Sequence, residues 1–274
     1  MSRILRLVLP AITVVAVIAA GGARPSAGAG QQAPARKRVL AIGDTRTGYT
    51  HDSISHALAV VDLMGRESGL WDTFIRTDSQ WITRQPVPPP ARNARTLDDF
   101  DAVFLFVSGE GTLTGQQKRD FVSFVRDGKG AVAAHSGIAA FYEWPEYGEM
   151  FGGYFDNHPW NVTEARVRVE DRAHPAMRHF PPTFTRTEEY YVLRPKPYSR
   201  DAVDVLASID PDSVDLTHPD LRRTDRDFPV AMAKTYGKGR TFWSTFGHDA
   251  DTWDDPDIRK MYFEALRWVM RLTD

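Results

Sequence analysis

Apolar runs of strand length alternate with segments of helical period through the first half of the chain. Residues 38–43 are a short buried-strand pattern closed by Gly43. His51-Asp52-Ser53 then leads into Ile54, Leu58, Val61 and Leu63, a helical spacing for which Asp52 or Ser53 is a suitable N-cap. Residues 71–76 alternate as a strand does, and the proline-rich stretch 79–95 reads as a loop. Residues 101–107 are the clearest buried strand and end at Ser108-Gly109-Glu110-Gly111. Thr114 and Gln117 have capping-box spacing before the apolar face of Phe121, Phe124 and Val125. The small apolar run 130–134 follows and breaks at His135-Ser136-Gly137, after which residues 138–142 are expected to start a helix.

The second half is patterned differently. Residues 144–151 suggest a short helix, and 152–160 an aromatic-rich loop in which Pro159 holds His158 extended. Residues 162–169, 188–193 and 202–209 read as strands, while 211–227 is polar and expected to be exposed. Residues 229–236 and 240–246 flank Gly237-Lys238-Gly239 as a hairpin, and 257–272 is an amphipathic helix. Strands alternating with helices predict an α/β fold with a parallel or mostly parallel sheet covered on both faces. The sequence shows no internal repeat.

Composition narrows the chemistry. With 42% hydrophobic and 26% charged residues the chain has an ordinary globular make-up. A formal net charge of −2, with Arg scattered among Asp and Glu, gives no electrostatic reason to expect nucleic acid as a partner. The absence of cysteine removes disulfides, thiol nucleophiles and Cys-ligated metals, so any metal must use His, Asp, Glu or water. At the N-terminus, Arg3 and Arg6 precede an apolar run over 7–20, and Ala27-Gly28-Ala29 is a suitable cleavage site. This predicts a signal peptide over 1–29 and a linker over 30–37 ahead of one domain, 38–274, in a secreted or periplasmic protein. The run is shorter than the ~20 residues of a membrane span. No stable membrane insertion is therefore expected after cleavage, an uncleaved N-terminal anchor being the alternative.

The residues that carry chemistry fall at strand ends and in loops. His51, Glu110, His135, His158, Glu188 and His248 all lie outside the apolar faces of the elements. In open α/β sheets ligands bind at the carboxyl edge of the strands, so such a set suits an acid–base or metal site. For each histidine the plainer alternative is a buried ring bonded to backbone, and for each Glu a helix cap. Ser136, Tyr154, Phe155, Trp160 and Tyr190 are candidates for substrate contact, since aromatic faces with polar neighbours suit a sugar ring. HExxH, a phosphate-binding glycine loop, a nicotinamide-binding glycine fingerprint and Gly-x-Ser-x-Gly are all missing from the places where they would work.

Several motifs occur in a telling order: Gly48-Tyr49-Thr50-His51-Asp52-Ser53-Ile54; Ser108-Gly109-Glu110; Ala134-His135-Ser136-Gly137; Phe151-Gly152-Gly153-Tyr154-Phe155-Asp156-Asn157-His158-Pro159; Glu188-Glu189-Tyr190-Tyr191; and Phe246-Gly247-His248 with Trp253. From Arg38 to the C-terminus the chain resembles the ThuA-like (trehalose utilisation) family. That resemblance implies a flavodoxin-like, class I glutamine-amidotransferase-like three-layer sandwich. The elbow position that is cysteine in such amidotransferases is His135 here, which excludes amidotransfer through a thioester. Thr187-Glu188 stands where the family's usual Asp-Glu precedes the tyrosine, and the polar stretch 212–227 lies outside the pattern.

The resemblance further implies a role in disaccharide breakdown. The expectation is a hydrolase, lyase or isomerase acting on a trehalose-like disaccharide or keto-sugar. The histidines would transfer protons or hold a divalent metal, and Glu110 and Glu188 would be bases or orienting carboxylates. A non-catalytic carbohydrate-binding module is the alternative. The expected partner is a small saccharide, and homo-oligomerisation is left open.

Overall fold

The computed structural model describes residues 35–274. The expected signal peptide and most of the expected linker lie outside them. Within the described residues the strands are β1 (Lys37–Ile42), β2 (Trp71–Arg76), β3 (Ala102–Leu105), β4 (Gly130–Ala134), β5 (Phe155–Asn157), β6 (Val162–Val169), β7 (Thr183–Glu189), β8 (Val192–Leu193), β9 (Asp204–Ile209), β10 (Pro229–Tyr236) and β11 (Gly239–Ser244). The α-helices are α1 (Ile54–Ser68), α2 (Gly115–Arg126), α3 (Pro145–Phe151), α4 (Ala250–Asp254) and α5 (Pro256–Val269).

One sheet of order β2-β1-β3-β4-β11-β10-β9-β6-β7 runs through the protein. From β2 to β11 every neighbour is parallel; from β11 to β7 every neighbour is antiparallel. Strand alternation divides the core into two faces. Val39, Ala41, Phe104 and Val132 pack with the apolar sides of α1 and α5. Leu40, Ile42, Val103, Leu105 and Ala131 pack with α2 and α3 on the other side. This is the three-layer α/β arrangement that the strand–helix alternation predicts. Nearly continuous apolar strands are required here because both faces are covered.

Local signals behave as their chemistry dictates. Thr114 and Gln117 form the reciprocal capping box of α2. Residues 237–238 turn the β10–β11 hairpin. Ser53 sits at the N-cap of α1, but its hydroxyl donates to Gly247 O (2.8 Å) rather than to its own helix.

Several elements differ from expectation: β5 lies inside the expected loop 152–160, and β7 begins at Thr183, ahead of the expected strand at 188. No α-helix begins at residue 138. Residues His135–Ile138 form a single 3-10 turn, and α3 starts only at Pro145. His135 (φ 44°) and Phe141 (φ 54°) take left-handed conformations that no right-handed helix accommodates. Between them the backbone bridges to Gly109, which donates to Ala139 O and accepts from Phe141 N–H, each at 3.0 Å. The expected strand 188–193 is also divided. β7 ends at Glu189, and the chain crosses the top of the sheet before β8 pairs with β5.

Candidate functional site

The carboxyl edge of the parallel strands gathers the loops after β1, β3, β4 and β11, three of which carry a histidine. The chain after β1 carries Tyr49 and His51 into α1. It can approach the chain after β3 only because Gly48 and Gly109 meet without side chains: a Cβ on Gly48 would lie 2.5 Å from Gly109 N. β4 ends at His135, whose left-handed backbone aims the ring above the sheet. This costs local strain of about 1 kcal/mol or more, which the surrounding packing sustains. β11 ends before Gly247-His248.

A further contributor comes from the far edge of the antiparallel half. After β7 the chain returns over the end of β11, where Thr245 stitches it down. The Thr245 hydroxyl donates to Glu189 O (3.2 Å) and accepts from Tyr191 N–H (3.0 Å). The Thr245 carbonyl lies 2.5 Å from His135 Nδ1.

The result is a cluster of His51, His135, Glu189 and His248 whose ligand-type atoms all lie within 4.8 Å of one another. Glu189 Oε2 is 3.2 Å from His135 Nε2 and 3.1 Å from His248 Nδ1, and Oε1 is 3.7 Å from His158 Nε2. His51, Glu189 and His248 form one wall of a cavity of about 470 Å³, also lined by Tyr49, Ser108, Ser136, Tyr142, Phe155, His158 and Tyr191, while His135 is fully buried beside them. That size lies in the usual range for small-molecule sites. Larger hollows lie under the proline-rich loop (about 670 Å³), where no titratable side chain lines the space, and beside α1 (about 750 Å³), where Arg46, His51 and Asp52 do; the 470 Å³ cavity is the one that brings His51, His158, His248 and Glu189 together.

The electrostatics follow from the crowding. Burial, together with the neighbouring His135 and His248 rings, pushes His51 down to about 3, so it is neutral at ordinary pH. Burial opposes the charge on Glu189, yet the close His135 and His248 nitrogens hold it well below the usual carboxylate range. The same proximity to Glu189 pushes His248 up. Burial pushes the Tyr142 phenol up to about 12, leaving it a hydrogen-bond donor rather than a base.

Of the candidates read from the sequence, His51, His158, His248, Ser136 and Phe155 line this cavity, and His135 is fully buried beside it, in contact with His51 and Glu189. Five others do not. Glu188 is buried beneath it and accepts from Gly247 N–H, His248 N–H, Thr252 Oγ1 and Glu189 N–H at 3.0–3.2 Å, fixing the loop that carries His248. Glu110 is occupied by Tyr142 N–H (2.9 Å) and Glu143 N–H (3.2 Å), so it fastens the segment after the elbow. The Tyr154 hydroxyl is spent on Gly148 N–H and backbone carbonyls. Trp160 donates to Asp215 O and packs on Phe228. Tyr190 is fully buried, its hydroxyl on Arg186 O.

Sequence reasoning missed Glu189, Tyr191, Tyr49 and Tyr142. For the first two, strand parity was the available signal. Phe184 and Arg186 share a face with Glu188, which leaves Glu189 on the other. Tyr190 and Tyr191 enter opposite core layers in the same way.

An α/β protein with a histidine- and carboxylate-walled pocket at the carboxyl edge of its parallel strands is the class that fold and site define. The family model for ThuA, trehalose utilisation, matches residues 38–269, and the chain belongs to that family. Among solved structures it is similar to a ThuA-like protein from Bacteroides uniformis ATCC 8492, with 19% identity, TM-score 0.65, and 86% of this chain and 93% of that one covered. A ThuA-like protein from Parabacteroides merdae ATCC 43184 gives 18% identity and TM-score 0.61, covering 86% and 90%. A beta-galactosidase from Bacillus circulans sp. alkalophilus shares the fold at 11% identity and TM-score 0.50, with 85% of this chain but 31% of that chain covered. No curated protein matches the chain in sequence. Family membership points to a carbohydrate-related role.

Proposed function

We propose that this chain is an exported enzyme of disaccharide or keto-sugar breakdown, working by proton transfer in the cavity beside His135. The observation that carries this reading is the convergence of three imidazoles and one carboxylate beside an aromatic-lined pocket, His51, His248 and Glu189 on its wall and His135 buried against them. A keto-sugar has acidic C–H bonds next to its carbonyl. Removing such a proton needs a base at the ring edge and a positive or hydrogen-bonding environment at the carbonyl oxygen. His158 is the half-exposed imidazole at the rim and stands where a bound sugar would reach it. Glu189, anionic at ordinary pH, orients the rings around it. Tyr191 and Phe155, with ring centroids 4.2 Å apart, form an apolar surface for the sugar's C–H face. Proton abstraction beside a carbonyl leads to isomerisation or to elimination of a substituent at the β carbon, so a lyase or isomerase fits this pocket more directly than a simple hydrolase.

The test is incubation of the purified protein with a panel of disaccharides and their 3-keto forms, followed by product analysis. Consumption of a keto-sugar, abolished by His135→Ala in a protein with unchanged circular dichroism, is the expected result. Binding of saccharides without turnover of any of them would replace the enzyme with a carbohydrate-binding module.

A further inference from the structure

We propose that His51, His135, His248 and Glu189 are the ligands of one divalent first-row transition-metal ion. The argument starts from His135. Its Nδ1 lies 2.5 Å from the Thr245 carbonyl oxygen, and only an N–H is stable facing a carbonyl at that distance. In the neutral ring the proton is therefore on Nδ1, and Nε2 presents a lone pair. That lone pair lies 3.2 Å from Glu189 Oε2, and His248 Nδ1 lies 3.1 Å from the same oxygen. For His135 Nε2, an acceptor facing an anionic acceptor is repulsive unless a proton or a metal ion sits between them, and the contact lacks the geometry of a hydrogen bond.

The directions of these contacts agree with a shared ion. Despite the short distances, His135 Nε2 and His248 Nδ1 make no hydrogen bond of acceptable geometry, and His51 Nδ1 is likewise buried without a partner. The three rings stand steeply to one another, at 87°, 82° and 67°, with centroids 4.6–5.3 Å apart. Rings in that arrangement neither stack nor bond to each other, but their edges can face one point. Ligand atoms around a tetrahedral ion with bonds of about 2.0–2.1 Å are about 3.3 Å apart. The two Glu189 separations match this, and all four ligand atoms lie within 4.8 Å of one another, so the set closes on one ion by an inward shift of its side chains.

The surroundings resemble support for a metal. The His135 Nδ1–H bond to a backbone carbonyl is the usual device that fixes a ligand's tautomer and ring orientation. Glu188 holds the backbone of both Glu189 and His248. Three imidazole nitrogens and one carboxylate favour zinc, iron, manganese or cobalt over magnesium or calcium. Two positive charges against one carboxylate leave the centre net positive and facing the cavity, suited to a carbonyl or hydroxyl oxygen of a bound molecule.

All eight histidines lie within the described residues, and of the five that are not proposed ligands the distant His174 serves as a control. The full chain, purified without a histidine tag and without chelator, should carry about one equivalent of zinc, iron or manganese by elemental analysis. After EDTA treatment, Co²⁺ titration should restore one equivalent with visible d–d absorption, and Zn²⁺ should raise Tm in a concentration-dependent way. His248→Ala and Glu189→Gln should each weaken Zn²⁺ binding at least 100-fold, while His174→Asn leaves it unchanged. A folded protein that takes up neither Zn²⁺, Mn²⁺ nor Co²⁺ at micromolar concentration near neutral pH would overturn the proposal, as would binding that survives the His51→Ala/His248→Ala double variant. This outcome is separable from the sugar reading: a metal-free protein that consumes keto-sugars sinks only the metal, and a metal protein inert on every sugar sinks only the proposed function.

Discussion

The two halves of the sheet contribute to the pocket in different ways. The parallel half, β2 to β11, delivers His51, His135 and His248 by the shortest route, each from the loop directly after a strand's carboxyl end. The antiparallel half delivers Phe155 and His158 from β5 and the loop into β6, and delivers Glu189 and Tyr191 by leading the chain from the outermost strand back across the sheet. In the first half position follows from topology alone. In the second it depends on the parity of a single edge strand and on Thr245, which fastens the crossing chain. The contrast is sharpest in two adjacent residues of the same type: Glu189 meets the imidazoles, and Glu188 is sealed beneath them.

The test with the largest expected effect exploits that adjacency. Glu189→Gln should lower kcat on the substrate found by panel screening about 1,000-fold, within the range for loss of a group organising proton transfer, with Tm within a few degrees of wild type. Glu188→Ala should do the reverse in emphasis. It leaves three buried backbone N–H groups and the Thr252 hydroxyl without their acceptor, and should cost about 3 kcal/mol of stability by chemical denaturation. Equal effects of the two substitutions on kcat, with equal stability, would abolish the distinction between the two carboxylates.

This difference also explains what the sequence made legible. The junctions after β1 and β4 are visible as apolar runs, one broken at Gly43 ahead of His51 at the entry to α1 and one broken at His135, and β11 ends visibly at Gly247-His248. Histidine at such breaks points to the sheet edge whatever the details of packing. Two things were not legible. One was which of two identical neighbours faces the pocket: Glu188-Glu189-Tyr190-Tyr191 reads the same in either register unless the face of Phe184 and Arg186 is already known. The other was the path of the backbone after His135. Nothing in 138–142 announces that His135 and Phe141 are left-handed; tertiary pairing with Gly109 imposes it over an acceptable helical sequence. Glu110 and Tyr154 have the right chemistry for a site and lie near it, but their polar atoms are consumed by the backbone they hold in place.

A second test compares a histidine of the pocket with one that belongs only to the packing. His174 lies on the connection between β6 and β7, buried against Trp268, with Nε2 unpartnered and Nδ1 accepting from Ala176 N–H. Burial pushes it down to about 4. The unfolded chain, with an ordinary imidazole near 6.5, therefore binds more protons than the folded one between those values. Stability is complete above about pH 6.5 and is lost as pH falls toward 4. Between pH 6.5 and 5 this group alone should remove about 2 kcal/mol. His174→Asn keeps an acceptor for Ala176 and cannot titrate, so its stability should fall less steeply than wild type over that interval in urea denaturation. His51 is depressed in the same direction and is present in both proteins, so it cancels in the difference. Parallel pH profiles would show that His174 is charged in the folded protein or exposed to solvent.

The smallest expected effect probes parity again, one step further along the crossing chain. Tyr190 and Tyr191 are both buried, but Tyr190 donates to Arg186 O within the α1–α5 layer, whereas Tyr191 lies on the ring of His135 with centroids 4.4 Å apart. Tyr190→Phe removes one buried hydrogen bond, keeps the ring, and leaves a carbonyl that retains its second lone pair for other partners. It should cost about 1 kcal/mol of stability and leave KM within twofold of wild type. Tyr191→Leu retains most of the apolar volume but removes the aromatic face toward the cavity. It should raise KM about tenfold, the loss corresponding to one ring-to-sugar contact of about 1.4 kcal/mol. If Tyr190→Phe moved KM and Tyr191→Leu did not, the register of the crossing segment would be shifted by one residue. Glu188 would then be the carboxylate that faces the imidazoles, and the antiparallel half would have to be rebuilt around it.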